Sequence, residues 1–230
     1  MKLSIIIPTL NEAAGLGDVL KQLQPMRARG VEVIVVDAGS RDATCDIASR
    51  WADRVLLGER GRAKQLNAGA AIADGDALLF LHADSVLPED GDAWIEKGLN
   101  DACFQWGRFD VIIAGAHAML PVIAWFMNYR SRLTGIATGD QGIFVTRAAF
   151  VALGGFPDQP LMEDIAFCSR ALDISPPYRV SARIITSGRR WEQNGVWRTI
   201  FLMWRLRFKY FMGADPLKLH QAYYGDQLDK

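Results

Sequence analysis

Short apolar runs that end in polar clusters recur along the chain, and between them apolar residues fall at helical spacing. Leu3 to Ile7, Val31 to Val36 and Ala77 to Leu81 are continuous hydrophobic segments, the pattern of buried parallel strands. Ala13 to Met26 places Leu16, Val19, Leu20 and Leu23 on one face and predicts a helix. Asp42 to Trp51 and Ala63 to Ala73 predict two more, with a short strand over Arg54 to Leu57 between them. Pro88 to Asn100 opens with a proline and acidic residues, as helix N-termini prefer. Repeated βα units of this length predict an α/β domain with a mostly parallel sheet and right-handed crossovers.

The second half is less regular. Strands are expected over Gln105–Ile113, Gly142–Thr146 and Arg179–Thr186. Helices are expected over Pro121–Leu133, before Gly154-Gly155, over Asp164–Leu172 and over Val196–Met212. Val111 to Met127 has no formal charge, but Gly115, His117 and Pro121 interrupt it. A buried strand followed by a helix with Pro121 in its first turn accounts for it better than a membrane span.

A length of 230 residues fits one domain with a small appendage. The zero net charge argues against a general nucleic-acid binder, so no nucleic-acid partner is expected. Cys45, Cys103 and Cys168 are odd in number and far apart, without zinc or redox spacing. They predict a reducing compartment. The chain opens on a strand, so no signal peptide and a cytoplasmic location are expected.

Three strands run into polar clusters: Pro8-Thr9-Leu10-Asn11-Glu12, Asp37-Ala38-Gly39-Ser40-Arg41-Asp42 and His82-Ala83-Asp84. In a parallel sheet these ends share one edge, where ligands bind. Each alone has a plainer reading. Asn11, Ser40 or Asp42 could cap the helix that follows, and Asp37 could belong to a turn. Together they favour a ligand crevice. A carboxylate there suits a ribose, a base or a divalent cation. Arg60-Gly61-Arg62-Ala63-Lys64 opens a helix and suits a diphosphate, or is a solvated basic helix start. Neither the dinucleotide-binding glycine turn nor the phosphate loop Gly-x-x-x-x-Gly-Lys-Ser/Thr is present.

These clusters, with Leu66-Asn67-Ala68-Gly69 and Met162-Glu163-Asp164, resemble family 2 glycosyltransferases in order and spacing over residues 1 to about 170. Gly139-Asp140-Gln141-Gly142-Ile143-Phe144, then Leu153-Gly154-Gly155-Phe156-Pro157, then Met162-Glu163-Asp164 are similar to a small bacterial subgroup associated with radical-SAM, selenium or arsenosugar gene clusters. The resemblance implies a GT-A fold, Rossmann-like and three-layered α/β/α with a mostly parallel sheet. It would span 1–190, with a nucleotide-sugar half at 1–104 and an acceptor half at 105–190. An amphipathic helical segment would follow at 191–230.

It also implies residue roles. Pro8, Thr9, Asn11, Glu12, Asp37, Gly39, Arg62, Lys64, Asn67, His82 and Ala83 would bind the nucleotide sugar, of UDP or GDP type. Asp84 would hold Mg²⁺ or Mn²⁺ against the diphosphate. Asp164, beside Glu163, would be the general base of an inverting transfer of one sugar to an acceptor hydroxyl. Glu163 and Asp164 are adjacent and point in different directions, so one can face the acceptor while the other holds the scaffold. Asp140, Gln141, Arg190 and Trp191 would lie near the acceptor or donor sugar. Two departures matter. His82 stands where the metal motif usually has a first aspartate, and could bind the nucleotide, ligate the metal as imidazole, or do neither. Arg189-Arg190-Trp191 is only a partial echo of the Gln-x-x-Arg-Trp element of processive enzymes, which argues for single-sugar transfer.

From Arg183 to Lys209 there are seven basic residues and one acidic residue, and Trp197, Phe201, Trp204, Phe208 and Phe211 recur at helical spacing. This reads either as an interfacial helix on anionic lipid at the inner face of the membrane, or as a core-packing or dimer-forming helix, with contact through 196–212. Two other functions stay open at this level. One is a sugar-phosphate nucleotidyltransferase of similar fold, although Thr9 to Glu12 lacks a triphosphate loop. The other is a non-catalytic nucleotide-sugar-binding protein.

Overall fold

A computed structural model describes residues 1–225. The first half comprises β1 (Leu3–Thr9), α1 (Ala13–Gln22), α2 (Gln24–Ala28), β2 (Glu32–Asp37), α3 (Thr44–Trp51) and β3 (Arg54–Leu57). It continues through α4 (Arg62–Ile72), β4 (Ala77–Phe80), β5 (Ser85–Val86) and α5 (Gly91–Leu99). The second half comprises β6 (Trp106–Ala114), α6 (Leu120–Thr134), β7 (Ile143–Thr146), α7 (Arg147–Ala152) and α8 (Glu163–Ala171). It ends with β8 (Tyr178–Ser187), α9 (Arg189–Asn194), α10 (Val196–Phe211) and α11 (Pro216–Tyr224).

The strands form one eight-stranded sheet in the order β3-β2-β1-β4-β7-β6-β8-β5. The β3-β2-β1-β4 half is parallel throughout. β7 runs antiparallel to both β4 and β6, β8 is parallel to β6, and β5 is antiparallel to β8. The sheet is therefore mixed, with four of its seven pairings parallel. Alternation along β1 explains the layers. Ile6 packs into one core with Leu66, Phe80, Phe156 and Phe167, while Ile5 and Ile7 join Leu16, Leu20 and Ile95 in the core on the opposite face. Helix α4 lies tight on the sheet because Gly69 has no side chain there. A Cβ at that position would sit 2.5 Å from a methyl of Ile6.

The long helix expected over 13–26 is two helices. Pro25 has no amide hydrogen and stands in the first turn of α2, so the chain restarts a helix rather than continuing α1. Strand β5 and helices α9 and α11 were not legible as periodic segments; β5 has two residues and α9 six. Among the described residues no helix is long and apolar enough to cross a membrane. The 191–225 part of the expected appendage packs on the body, with Leu206 and Leu219 buried in the main core. Residues 226–230 of that segment lie outside the described residues.

Candidate active site

The carboxyl ends of β1 and β2 are laced together. Thr9 Oγ1 donates to the Asp37 carboxylate at 3.0 Å, and the amides of Gly39 and Ser40 donate to its other oxygen at 3.0 and 2.7 Å. Gly39 adopts φ +82°, which lets the loop curl its amides inward. Burial pushes the Asp37 carboxyl up, but hydrogen bonds from Ser40, Cys45 and Thr9 outweigh it and hold the group below its ordinary value. Asn11 is itself left-handed, at φ +55°, and its side-chain oxygen accepts from the Arg41 amide at 2.8 Å. Its own amide donates to Ser40 Oγ. Gln65, which sequence reasoning did not single out, reaches up from α4 and donates to the carbonyls of Thr9 and Val36 at 3.0 and 2.8 Å.

Beside this network opens a cavity of about 700 Å³. Pro8, Glu12, Arg62, His82, Ala83 and Asp84 line it from the parallel half. Asp140, Glu163, Asp164, Arg190 and Trp191 line it from the second half. Asp84 is half-buried and has no hydrogen-bond or ion-pair partner among the described residues. A lone carboxylate facing a cavity suits Mg²⁺ or Mn²⁺, which take one or two protein carboxylates and complete their shells with phosphate oxygens and water. Among the described residues no group of three or more His, Cys, Asp or Glu is arranged to cage a metal. The donor set fits a cation shared with a phosphate-bearing ligand, not one held by protein alone. The His82 ring pairs with Asp140 at 3.2 Å. Burial raises the Asp140 carboxyl, and His82 and the arginines reverse this to hold it below its ordinary value. Gly139 makes room for the His82 ring, which any Cβ there would strike.

The two adjacent acids both line the cavity. Glu163 is buried and forms an ion pair with Arg62 at 3.5 Å. Burial raises its carboxyl above the usual range, Arg62 opposes this, and Asp164 adds to it. Asp164 accepts from the Gly139 amide at 2.9 Å and from the Ile165 amide at 2.7 Å, which fixes its carboxylate at the start of α8. Met162, which precedes the pair, has φ +65°, a conformation rare for a side chain of its size. Arg62 rests within the concavity with 42% of its side chain still open. Burial disfavours its charge, but Glu163, Tyr224, Asp164 and Asp140 outweigh this and keep it protonated.

Not every expected residue reaches the cavity. Thr9, Asn11, Asp37 and Gly39 build the loop network behind it, with Asp37 0% exposed. Lys64 points elsewhere and pairs with Glu59 at 2.7 Å. Asn67 clamps the amide and carbonyl of Phe156 at 2.9 and 2.8 Å. Gln141 is fully buried and closes a capping box with Thr138. Other lining residues were missed. Arg189 pairs with Glu12 at 3.2 Å, and the Tyr223 ring stacks under the expected Arg190 at 3.9 Å. Arg130 and Arg207 come from α6 and α10. Burial and the neighbouring Arg207 push the Arg130 guanidinium down to about 10, and burial also lowers Arg207. The run of arginines between 183 and 209 was visible in sequence; that Arg207 turns inward depends on packing of α10.

A carboxylate-and-arginine cavity at the parallel strand ends of an open α/β sheet lies where such sheets bind ligands. The sequence profile described as Glycosyl transferase family 2 matches residues 4–118, half of the chain, and the chain belongs to that family. It is 42% identical over 95 residues to the PGL/p-HBAD biosynthesis glycosyltransferase of Mycobacterium bovis, covering 37% of this chain and 36% of that protein. It is 27% identical to the probable glycosyltransferase YdaM of Bacillus subtilis, over 95% of this chain and 56% of the relative. The chain thus spans about a third and just over half the length of these two relatives. In structure it resembles the mannosyltransferase PcManGT of Pyrobaculum calidifontis, solved with GDP-Man and Mn²⁺. The TM-score is 0.66 at 22% identity, covering 99% of this chain and 70% of that one. The fold is the GT-A arrangement of such glycosyltransferases.

Proposed function

We propose that the chain is an inverting glycosyltransferase that moves one sugar from a nucleotide-diphosphate sugar, of UDP or GDP type, to an acceptor hydroxyl. The observation that supports this most is the meeting, in one cavity, of unpartnered Asp84, ion-paired Arg62 and the fixed carboxylate of Asp164. The Asp37 loop forms a rigid backing for the nucleotide, rather than a direct contact from the cavity floor. Arg62 meets the diphosphate. Asp84 would hold Mg²⁺ or Mn²⁺, which when bound would supply charge neutralisation for the diphosphate.

Asp164 takes the acceptor hydroxyl proton as that oxygen bonds to the anomeric carbon. The carbon–oxygen bond to the diphosphate breaks, and its electron pair leaves with the diphosphate. Glu163 keeps Arg62 in place beside this path. The segments that resemble the small bacterial subgroup carry Asp140 and Asp164, so subgroup membership is part of this reading.

Asp164→Asn should lower transfer by about 10²- to 10⁴-fold while nucleotide affinity stays within about threefold. Turnover with the donor, read as released nucleotide, and binding, read by calorimetry, separate the two. Undiminished turnover in the variant would remove Asp164 as base. Tight donor binding by the wild type without turnover, against any acceptor, would make the chain a binding protein.

A further inference from the structure

The stripe of Trp197, Phe201, Trp204, Phe208 and Phe211 is not core. These five side chains are 57–72% exposed, while α10 buries its opposite side through Val196, Thr199 and Leu206. Helix α6 extends the same chemistry, with Val122, Trp125, Phe126 and Tyr129 all exposed. The apolar surface is continuous with the active-site cavity, because Val122, Phe126, Trp197, Phe201 and Trp204 are exposed and also line it. Monomeric proteins rarely leave so many large apolar side chains together in water.

Charge selects what covers this surface. α6 and α10 carry Arg130, Arg132, Arg198, Arg205, Arg207 and Lys209 and no acidic residue. A symmetric dimer through this face would set these cations against their own copies and close the cavity mouth. An anionic lipid surface answers both the aromatic and the cationic character. Deeper in, Nε and Nη2 of Arg130 and Nε of Arg207 are buried without a hydrogen-bond partner among the described residues. Both guanidinium groups line the cavity beside Asp164. The cavity therefore passes from an apolar mouth to a floor of arginines and carboxylates, in which Arg130 and Arg207 keep buried donors without a partner among the described residues; those donors suit the anionic group of an amphiphile.

We infer that α6 and α10 form a platform that rests on an anionic lipid bilayer, and that the acceptor is an anionic amphiphile drawn from that bilayer along the aromatic wall. The acceptor class rests on the glycosyl-transfer reading; the platform does not. The acceptor hydroxyl reaches Asp164 while its apolar part stays against Phe126, Phe201 and Trp204.

The test is co-sedimentation of the full chain with phosphatidylcholine vesicles, with and without about 30 mol% phosphatidylglycerol. Partition to the anionic vesicles should exceed that to neutral ones by about tenfold or more and fall with added salt. Phe208→Ser with Phe211→Ser lies outside the cavity lining. It should lower partition by about tenfold or more while circular dichroism and donor turnover in lipid-free buffer stay as in the wild type. Equal partition to both vesicle types, or a double variant that partitions like the wild type, would overturn the platform. So would a wild-type dimer that dissociates in the double variant and never binds vesicles, since a second copy would then own the face. Donor turnover reports the glycosyl-transfer reading separately: its absence removes the acceptor class, while sedimentation alone decides the platform.

Discussion

The two halves of the molecule use polar residues in opposite ways. In the parallel half, Thr9, Asn11, Asp37 and Asn67 spend their hydrogen bonds on the protein itself. In the second half, half-buried Arg130 and Arg207 carry buried donors without a partner among the described residues, and α10 turns five aromatic side chains outward. The first half reads as a finished scaffold and the second as a surface that needs something else to complete it. Strand-end polar residues are therefore of two kinds, those that hold the edge rigid and those that meet a ligand, and residue type alone does not separate them.

Substitutions can break this contrast. The largest effect is expected at Asp84, a strand-end carboxylate in the parallel half with no partner among the described residues. Asp84→Asn should lower turnover by about 10²-fold or more with little change in thermal stability. Chelation with EDTA should slow the wild type and leave the variant's residual rate alone. A variant whose rate still responds to Mn²⁺ would place the metal elsewhere.

Asp37→Asn should do the reverse and destabilise the fold by about 1–3 kcal/mol at pH 7, by denaturant titration. The folded Asp37 carboxyl lies below its ordinary value, so its contribution is full above about pH 4 and is lost as pH falls through the folded value. The gap between wild type and variant should therefore close in acid. A constant gap would mean that the charge of Asp37 is not what the loop uses. Asn67→Ala should cost about 1–2 kcal/mol by freeing the Phe156 backbone, with donor affinity unchanged. A selective loss of donor affinity there would move Asn67 from scaffold to binding site. Lys64→Ala should alter neither stability nor donor affinity, because its amine pairs with Glu59 away from the cavity. Weakened donor binding in that variant would return Lys64 to the diphosphate.

Much of the parallel half was legible in the chain. Strands β1, β2 and β4 are buried almost throughout and read as apolar runs, and their ends follow directly in sequence. His82 and Asp84 could be located this way, and Arg62 and the Glu163–Asp164 pair through the family resemblance; all of them line the cavity. Their partners could not be located. The pairing of Arg62 with Glu163, and of Glu12 with Arg189, joins residues more than a hundred positions apart. The apolar stripe of α10 was equally visible, but its periodicity fits a buried face and an exposed one alike.

By itself the sequence determined the alternation of strand and helix, the shared edge of the polar clusters and the family, because these depend on local periodicity and short motifs. Only the tertiary structure decided that β7 reverses in the sheet, that Asp37 faces inward while Asp84 stays free, and that α10 turns its aromatic side outward beside the cavity. Those outcomes depend on which surfaces meet. A side chain's burial and its partners are properties of the packed chain, not of its neighbours in sequence.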